Sequence, residues 1–319
     1  MKNIKKLPFI LSILSLFTIF SPAKADIKVV ASIKPIHSLA SYLMDGVGKP
    51  DLIVDGYASP HGFAMKPSHA KMLQNADLIF WVGEDLESFL EKPLNSIAKK
   101  AEKIELMEIK GLNKLEFRER NIFEEHEDHG HDEHKEHAHK EDKHDDHQGH
   151  AHGEHDPHIW LDPMNAKVIL SEMAEHLIEN DQKNEVKYKE NLKKARKDLD
   201  KLTKKVKSEL NKDFKSIVFH DAYQYFEKRF DVNILGAFTV NTDVMPGAEQ
   251  LAEIREVIEH DKVSCIFSEP QFNPDIIKAV AKDTNVATGV IDPLGATLDP
   301  GKDLYFDLIK NMSKSFKGC

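Results

Sequence analysis

"IKVVASIKPIHSLASYLMDGV", Ile27–Val47, is a β-branched run followed by a helical pattern that begins after Pro35. Asp51–Gly83 extends it. "DLIVDGYASPHGFAMKPSHAKMLQNADLIFWVG" holds a short strand, a loop with Gly, Ser and Pro, a helix, and a second apolar run ending at Trp81–Val82. Short apolar runs alternating with helices belong to a parallel sheet covered on both faces. The rhythm returns in the second half. "SIVFH" (Ser216–His220), "NILGAFTV" (Asn233–Val240), "VSCIFSE" (Val263–Glu269) and "VATGVID" (Val286–Asp292) read as strands. Helical patterns at Gly247–His260 and Pro274–Thr284 lie between them. The expected class is α/β, with one parallel-sheet lobe in each half.

Between the lobes, Lys183–Leu210 contains neither Gly nor Pro. Val186, Leu192, Leu199, Leu202, Val206 and Leu210 form a narrow apolar stripe on an otherwise charged helix. Its length would be about 42 Å at ~1.5 Å per residue. The preferred reading is a stiff helix packed along one side of both lobes; an isolated charged coiled-coil segment is the alternative.

A chain of 319 residues suits two domains of ~100–150 residues. A 40% apolar content is enough for real cores, and a net charge of −10 excludes an electrostatic footprint for nucleic acid. Residues 1–25 read as a secretory signal: Lys2, Lys5 and Lys6, then apolar Leu7–Phe20, then an A-x-A pattern at Ala23 and Ala25 before Asp26. The apolar run is shorter than the ~20 residues a membrane span needs. No Cys follows it to take a lipid, so a soluble, exported mature chain with no membrane insertion is expected. Losing Lys2, Lys5, Lys6 and Lys24 takes the net charge from −10 to −14. Cys265 and Cys319 both survive cleavage and are a disulfide candidate in an oxidising compartment. A buried Cys265 with a loose terminal thiol is the other reading.

Four residues stand where strands are expected to run out into loops: His61 in "GYASPHGF", His158 in "DPHIWLDP", His220 in "IVFHDAY" and Asp292 in "GVIDPLG". In open α/β sheets ligands gather outside the carboxyl ends of the strands. Neutral imidazoles with a carboxylate make a first-row metal site, and three nitrogens suit zinc. A lone histidine at a strand end is more often a hydrogen-bonded structural residue, and only a fold can bring these four together. Around them, Trp160 reads as a wall of the site or as core, and Asp221 and Tyr223 as orienting groups or ordinary loop residues. Glu269 reads as a cap rather than a partner of a ligand. His37 reads as structural, and His69, His176 and His260 as solvent-facing. No nucleophile elbow, phosphate loop or H-E-x-x-H is present. Three histidines with an open position would also describe a zinc hydrolase, but no general base is evident beside them.

Several blocks carry a resemblance: "ASIKPIHSLA", "SPHGFAMKPSHAKML", "DPHIWLDPMNA", "FHDAYQYFEKRF", "PGAEQLAEIREVI", "FSEPQFNP" and "IDPLGA". The chain resembles the zinc-specific substrate-binding proteins of bacterial metal ABC transporters (the ZnuA type), nearly end to end apart from a histidine-rich insert. The resemblance implies two Rossmann-like lobes joined by one long rigid helix, with the metal in the cleft between them. The expected division is a signal peptide at 1–25, a first lobe at 26–182, a linker helix at 183–210 and a second lobe at 211–319. It assigns zinc ligation to His61, His158 and His220, with Asp292 or a water in the fourth position. In manganese-type relatives the position of His220 is usually Glu, so the imidazole here favours zinc. Some members carry an acid just before the first ligand; here it is Pro60, which cannot ligate. Cys265 and Cys319 match a disulfide of part of the zinc branch. The implied protein is a non-catalytic periplasmic monomer that delivers Zn²⁺ to an inner-membrane permease and, through it, its ATPase.

The insert, expected at 124–156, lies in "EEHEDHGHDEHKEHAHKEDKHDDHQGHAHGEHDPHIW", Glu124–Trp160, a stretch with twelve of the 18 histidines. Glu124–Asp156 sets thirteen acids against three lysines. Having hardly any apolar residues, it cannot offset its ordering entropy and is expected to be disordered. His126, His129, His131, His134, His137, His139, His144, His147, His150, His152 and His155 recur at spacings of two to five among carboxylates. Such a tract forms interchangeable weak zinc sites. It reads as a tethered collector that raises the local metal concentration beside the cleft, or else as a solvated spacer.

Overall fold

Val29–Ile33 forms β1 with all five residues buried, as a strand covered on both faces must be. The structure, a computed structural model, describes residues 26–118, 120–122, 154–242 and 244–318. The expected signal peptide, Cys319 and most of the histidine-rich tract lie outside them. After β1 come α1 (Lys34–Leu43), β2 (Asp51–Val54), α2 (Pro67–Asn75), β3 (Leu78–Trp81), α3 (Glu84–Ser96) and β4 (Glu102–Glu105). The four strands are parallel in the order β2-β1-β3-β4. Pro35 sits inside the first turn of α1 rather than before it, where its missing N–H costs nothing.

α4 (Pro163–Asn180) and α5 (Glu185–Glu209) follow. The second half then repeats the plan with β5 (Lys215–His220), α6 (Gln224–Phe230), β6 (Asn233–Thr239), α7 (Ala248–His260), β7 (Cys265–Ser268), α8 (Asp275–Thr284), β8 (Ala287–Val290) and α9 (Leu304–Ser315). Its sheet is again parallel, in the order β6-β5-β7-β8. The molecule is therefore two parallel-sheet α/β lobes of the same winding. Along β5, Ile217 and Phe219 join a core on one face while Val218 joins the core on the other, which is the period of two at work.

The long helix α5 buries Tyr188, Asn191, Ala195, Leu199, Leu202 and Val206. Val186, expected on its apolar stripe, is instead 72% exposed. The buried face starts at Tyr188, whose hydroxyl donates to Asp181 Oδ2 (2.9 Å), and runs through Asn191, which donates to the carbonyls of Leu43 and Asp45 (2.8 and 2.9 Å). Polar side chains with buried partners thus carry part of a stripe that apolar spacing alone could not trace.

A second crossing joins the lobes ahead of the tract. Leu115 N–H donates to Tyr225 Oη (3.0 Å), and Asn121 Nδ2 donates to the carbonyls of Ala237 and Phe238 (3.1 and 2.8 Å). Ile122 pairs antiparallel with Gly236 and covers the edge of β6. A Cβ at Gly236 would lie 2.6 Å from the Asn121 carbonyl oxygen, so this approach requires glycine. The chain re-enters with His155 bridged antiparallel to Glu116, and Asp156 N–H on the Leu115 carbonyl (2.9 Å). Asp156, expected to close the disordered insert, is accordingly part of the folded lobe.

Candidate metal centre

His61 stands in the loop after β2, its N–H on Ser59 Oγ (3.3 Å). His220 is the last residue of β5. His158 follows no strand: it caps a 3-10 turn at Ile159–Leu161, after the His155 bridge. The three nonetheless converge. Their ring centroids are 5.1 to 5.6 Å apart, and one nitrogen from each lies within 4.8 Å of the others.

Two carboxylates set the direction of two of the rings. Asp156 Oδ1 accepts from His158 Nδ1 (2.7 Å) and from the His158 N–H (2.9 Å). Asp156 is itself held by Tyr225, whose hydroxyl donates to the Asp156 carbonyl (2.8 Å). Glu269, just past β7, accepts from His220 Nδ1 (2.9 and 3.0 Å). Capping was the preferred reading of Glu269 and support of a ligand the alternative; it faces His220 because β5 and β7 are neighbours whose ends lie side by side. Since a carboxylate accepts, each Nδ1 carries the hydrogen and each Nε2 presents a lone pair. Those two Nε2 atoms are 3.3 Å apart. Lone pairs so close need a proton or a cation between them. Two nitrogens ~2.0–2.1 Å from a tetrahedral zinc would stand about 3.3 Å apart.

The electrostatics follow from burial. Burial, then the neighbouring His220, hold His158 well below the usual histidine range, so it is the neutral imidazole a metal requires. Burial also opposes charge on His220, but Glu269, Asp221 and Asp156 outweigh it and its net shift is upward. Burial pushes Asp156 and Asp221 up to about 7, against the pull of nearby Arg118. Arg118 reaches Asp221 at 3.0 Å and Glu227 at 2.7 Å, behind the histidines.

The cavity at the mouth, lined by the three histidines with Asp85, Phe117 and His155, measures about 40 Å³. That is room for an ion and a water, against ~300–1,000 Å³ for organic ligands. Trp160 walls the site, its ring 5.3 Å from that of His158 and its Nε1 donating to the Pro293 carbonyl (2.8 Å). Asp221 pairs with Arg118, and the ring of buried Tyr223 lies 6.5 Å from that of His220.

Asp292 does not join the group. Its Oδ1 accepts from Gln271 Nε2 (2.9 Å) and from the N–H groups of Leu294 (3.1 Å) and Gly295 (3.0 Å), stitching its own loop. An aspartate opening an Asp-Pro-Leu-Gly turn satisfies backbone donors first. His37 is structural, Nε2 on the Pro50 carbonyl (3.1 Å). His69 is buried rather than solvent-facing: its Nδ1 accepts the Lys66 N–H (3.2 Å) at the start of α2. His176 is half-buried among glutamates, while His260 is exposed. Of the tract histidines only His155 is among the described residues, at the cavity mouth. Cys265 is buried and disulfide-bonded; its expected partner Cys319 lies outside the described residues.

Sequence reasoning missed Asp156 as a partner of His158. The signal was the Asp-Pro-His spacing, which puts a carboxylate within reach of the ring that follows it. Arg118 and Tyr225 left no signal at all, since each works across a contact between the two halves of the chain.

The family model of the zinc-uptake complex component A, periplasmic (ZnuA), matches residues 29–319. A high-affinity zinc uptake system protein ZnuA from Brucella abortus is 44% identical over 331 aligned positions, covering 100% of this chain and 99% of that one. One from Yersinia pestis is 37% identical over 299 positions, covering 92% of each. A crystal structure of ZnuA superposes with a TM-score of 0.72 at 20% identity, covering 92% of this chain and 100% of that one. At that identity the superposition speaks for the fold.

Proposed function

The chain belongs to the family of periplasmic A components of zinc-uptake complexes, and from that premise we propose that His61, His158 and His220 hold the zinc it carries. The protein is the periplasmic, zinc-binding component of an ABC transporter for zinc uptake. The observation that carries the ligand assignment is the 3.3 Å separation of two Nε2 lone pairs whose rings are backed by Asp156 and Glu269. A water completes the tetrahedron, Asp292 being engaged in its loop. Replacing any one of the three histidines by alanine leaves the ion undercoordinated and lowers affinity at least about tenfold. Asp292→Ala leaves affinity close to that of the parent protein. Competition against a chelator checks both; a histidine variant with unchanged affinity would remove that residue from the set.

The protein binds and releases its ion and catalyses nothing. The cavity has no space for an organic substrate, and the two carboxylates in contact with His158 and His220 are committed to their Nδ1 atoms. Its partners are the membrane permease that receives the ion and, through it, an ATPase; the carrier itself works as a monomer. The chain divides into a signal peptide at 1–25, a first lobe at 26–182, a linker helix at 183–210 and a second lobe at 211–319. The histidine-rich tract serves as an auxiliary collector. Its carboxyl-terminal end, His155, is bridged to Glu116 and lines the cavity mouth, which keeps captured zinc close to the site. Deleting 124–153 removes the weaker zinc equivalents that the tract holds, lowering the total stoichiometry in calorimetry, and keeps the tight equivalent of the cleft. Unchanged total stoichiometry would refute the collector.

A further inference from the structure

Away from the cleft, a second group of side chains has the make-up of a metal centre. Glu172, His176 and Glu179 stand at i, i+4 and i+7 of α4 and share one face of that helix. Glu102, the first residue of β4, reaches towards the same face. His176 Nδ1 is 2.8 Å from Glu102 Oε1 and 3.9 Å from Glu179 Oε2, while its Nε2 is 3.4 Å from Glu172 Oε1. Asn180 Nδ2 donates to Glu102 Oε2 (2.8 Å), which leaves Oε1 turned towards the ring. Among the described residues, no lysine or arginine ion pair reaches these three glutamates.

The imidazole at the centre distinguishes this group from a run of surface acids. Unlike the Nδ1 atoms in the cleft, His176 Nδ1 is buried and makes no hydrogen bond to the carboxylate beside it; with Nε2–H directed at Glu172, Nδ1 and two carboxylate oxygens converge as three lone-pair donors, all within 4.8 Å of one another. Three donors of like polarity gathered from a strand and a helix call for a cation at their centre. We propose that Glu102, His176 and Glu179 bind a second zinc ion, with Glu172 orienting the ring. One nitrogen and two carboxylate oxygens are zinc ligands, and water fills the remaining position.

The site is independent of transport. Glu102 opens β4, so it lies at the amino end of a parallel sheet whose carboxyl ends face the cleft. Glu179 is 62% exposed, so the ion is held more weakly than in the cleft and loads after it. Once bound it ties the edge strand β4 to α4, making zinc a staple for the first lobe as well as the cargo.

The test titrates the full-length protein with zinc chloride alone and follows imidazole nitrogens by NMR. The His176 signals are identified by their loss in His176→Gln. Beyond the first equivalent, the His176 Nδ1 resonance is expected to move to its metal-bound position. The midpoint should rise at least about tenfold in the Glu102→Gln/Glu179→Gln double variant, and it should be unaffected by His61→Ala. The melting temperature should keep rising past one equivalent in the parent protein and not in the double variant. An Nδ1 resonance unmoved by excess zinc, or a midpoint unchanged in the double variant, overturns the proposal. So does a midpoint that follows His61→Ala, which would assign the signal to the cleft.

Discussion

Asp156 and Glu269 do the same work from opposite lobes: each takes the Nδ1 hydrogen of one imidazole and turns its Nε2 to the centre. Such partners fix ring orientation and raise ligand basicity, and losing one typically costs ~10–100-fold in metal affinity. Asp156→Asn and Glu269→Gln keep an acceptor for Nδ1 but remove the charge, so each should fall within that range in a chelator competition. Affinity equal to the parent's would mean that the carboxylates only fill space. The same two residues explain what could be read in advance. The three histidines were legible from local context: His61 between Pro60 and Gly62 in the loop after an apolar run, His158 after an Asp-Pro, and His220 at the end of an apolar run. The carboxylates were not, because a ligand, a ring-orienting group and a turn cap look alike in one dimension. For that one reason Asp292 was left open against a water as fourth ligand, and Glu269 was read as a cap ahead of a partner of a ligand. Asp292 has loop N–H groups within reach and is used up by them. Glu269 has none competing and faces a ring across the adjacent strand.

At the scale of elements, the buried strands were the easy part, since β-branched runs covered on both faces leave a dense apolar signal. β4 escaped notice: "EKIE" pairs only with β3, and Ile104 is its one buried residue. The start of α3 was equally hidden, because its anchor is a buried acid. Glu87 departs from helical geometry (φ −124°, ψ 51°), and its Oε2 accepts from the N–H groups of Val82 (2.7 Å) and Gly83 (3.1 Å). Burial, opposed by those hydrogen bonds, pushes its carboxyl up to about 7. An acid whose pKa is raised by folding holds its proton more tightly in the native state. Its contribution is therefore complete below about pH 4.3 and is lost as pH rises through about 7. The loss is on the order of 3 kcal/mol. Glu87→Gln keeps an acceptor for both N–H groups and cannot ionise. Relative to this variant, the parent protein should lose stability by that amount between pH 4.5 and 8 in urea unfolding. A difference independent of pH would show that Glu87 ionises without cost.

On the scale of the whole molecule, the two lobes do not behave as plates on a hinge, because three crossings besides α5 tie them together. One is the segment that hydrogen-bonds to Tyr225 and lies along β6. Another is α9, which returns to the first lobe: Tyr305 N–H donates to Ser38 Oγ (2.9 Å) and Tyr305 Oη to the Trp160 carbonyl (2.7 Å). The third is Lys34. Its buried ammonium donates to the carbonyls of Ala296 and Leu298, both at 3.0 Å, and lies 3.4 Å from Asp55 on the loop that carries His61. A single hydrophobic core accordingly runs from Val29 to Phe316 through residues of both lobes. Motion between the lobes would have to break that core, unlike a hinge that only bends linkers. Scattering profiles with and without one equivalent of zinc should therefore superimpose, and unfolding should be a single transition. Lys34→Met removes the donor from carbonyls that stay buried, costing ~1–3 kcal/mol and lowering the melting temperature by about 2–4 °C per kcal/mol. A radius of gyration that shrinks on adding zinc to the parent protein would show a closing cleft and contradict the braced arrangement. A shrinkage seen only in Lys34→Met would identify Lys34 as the brace that prevents closure.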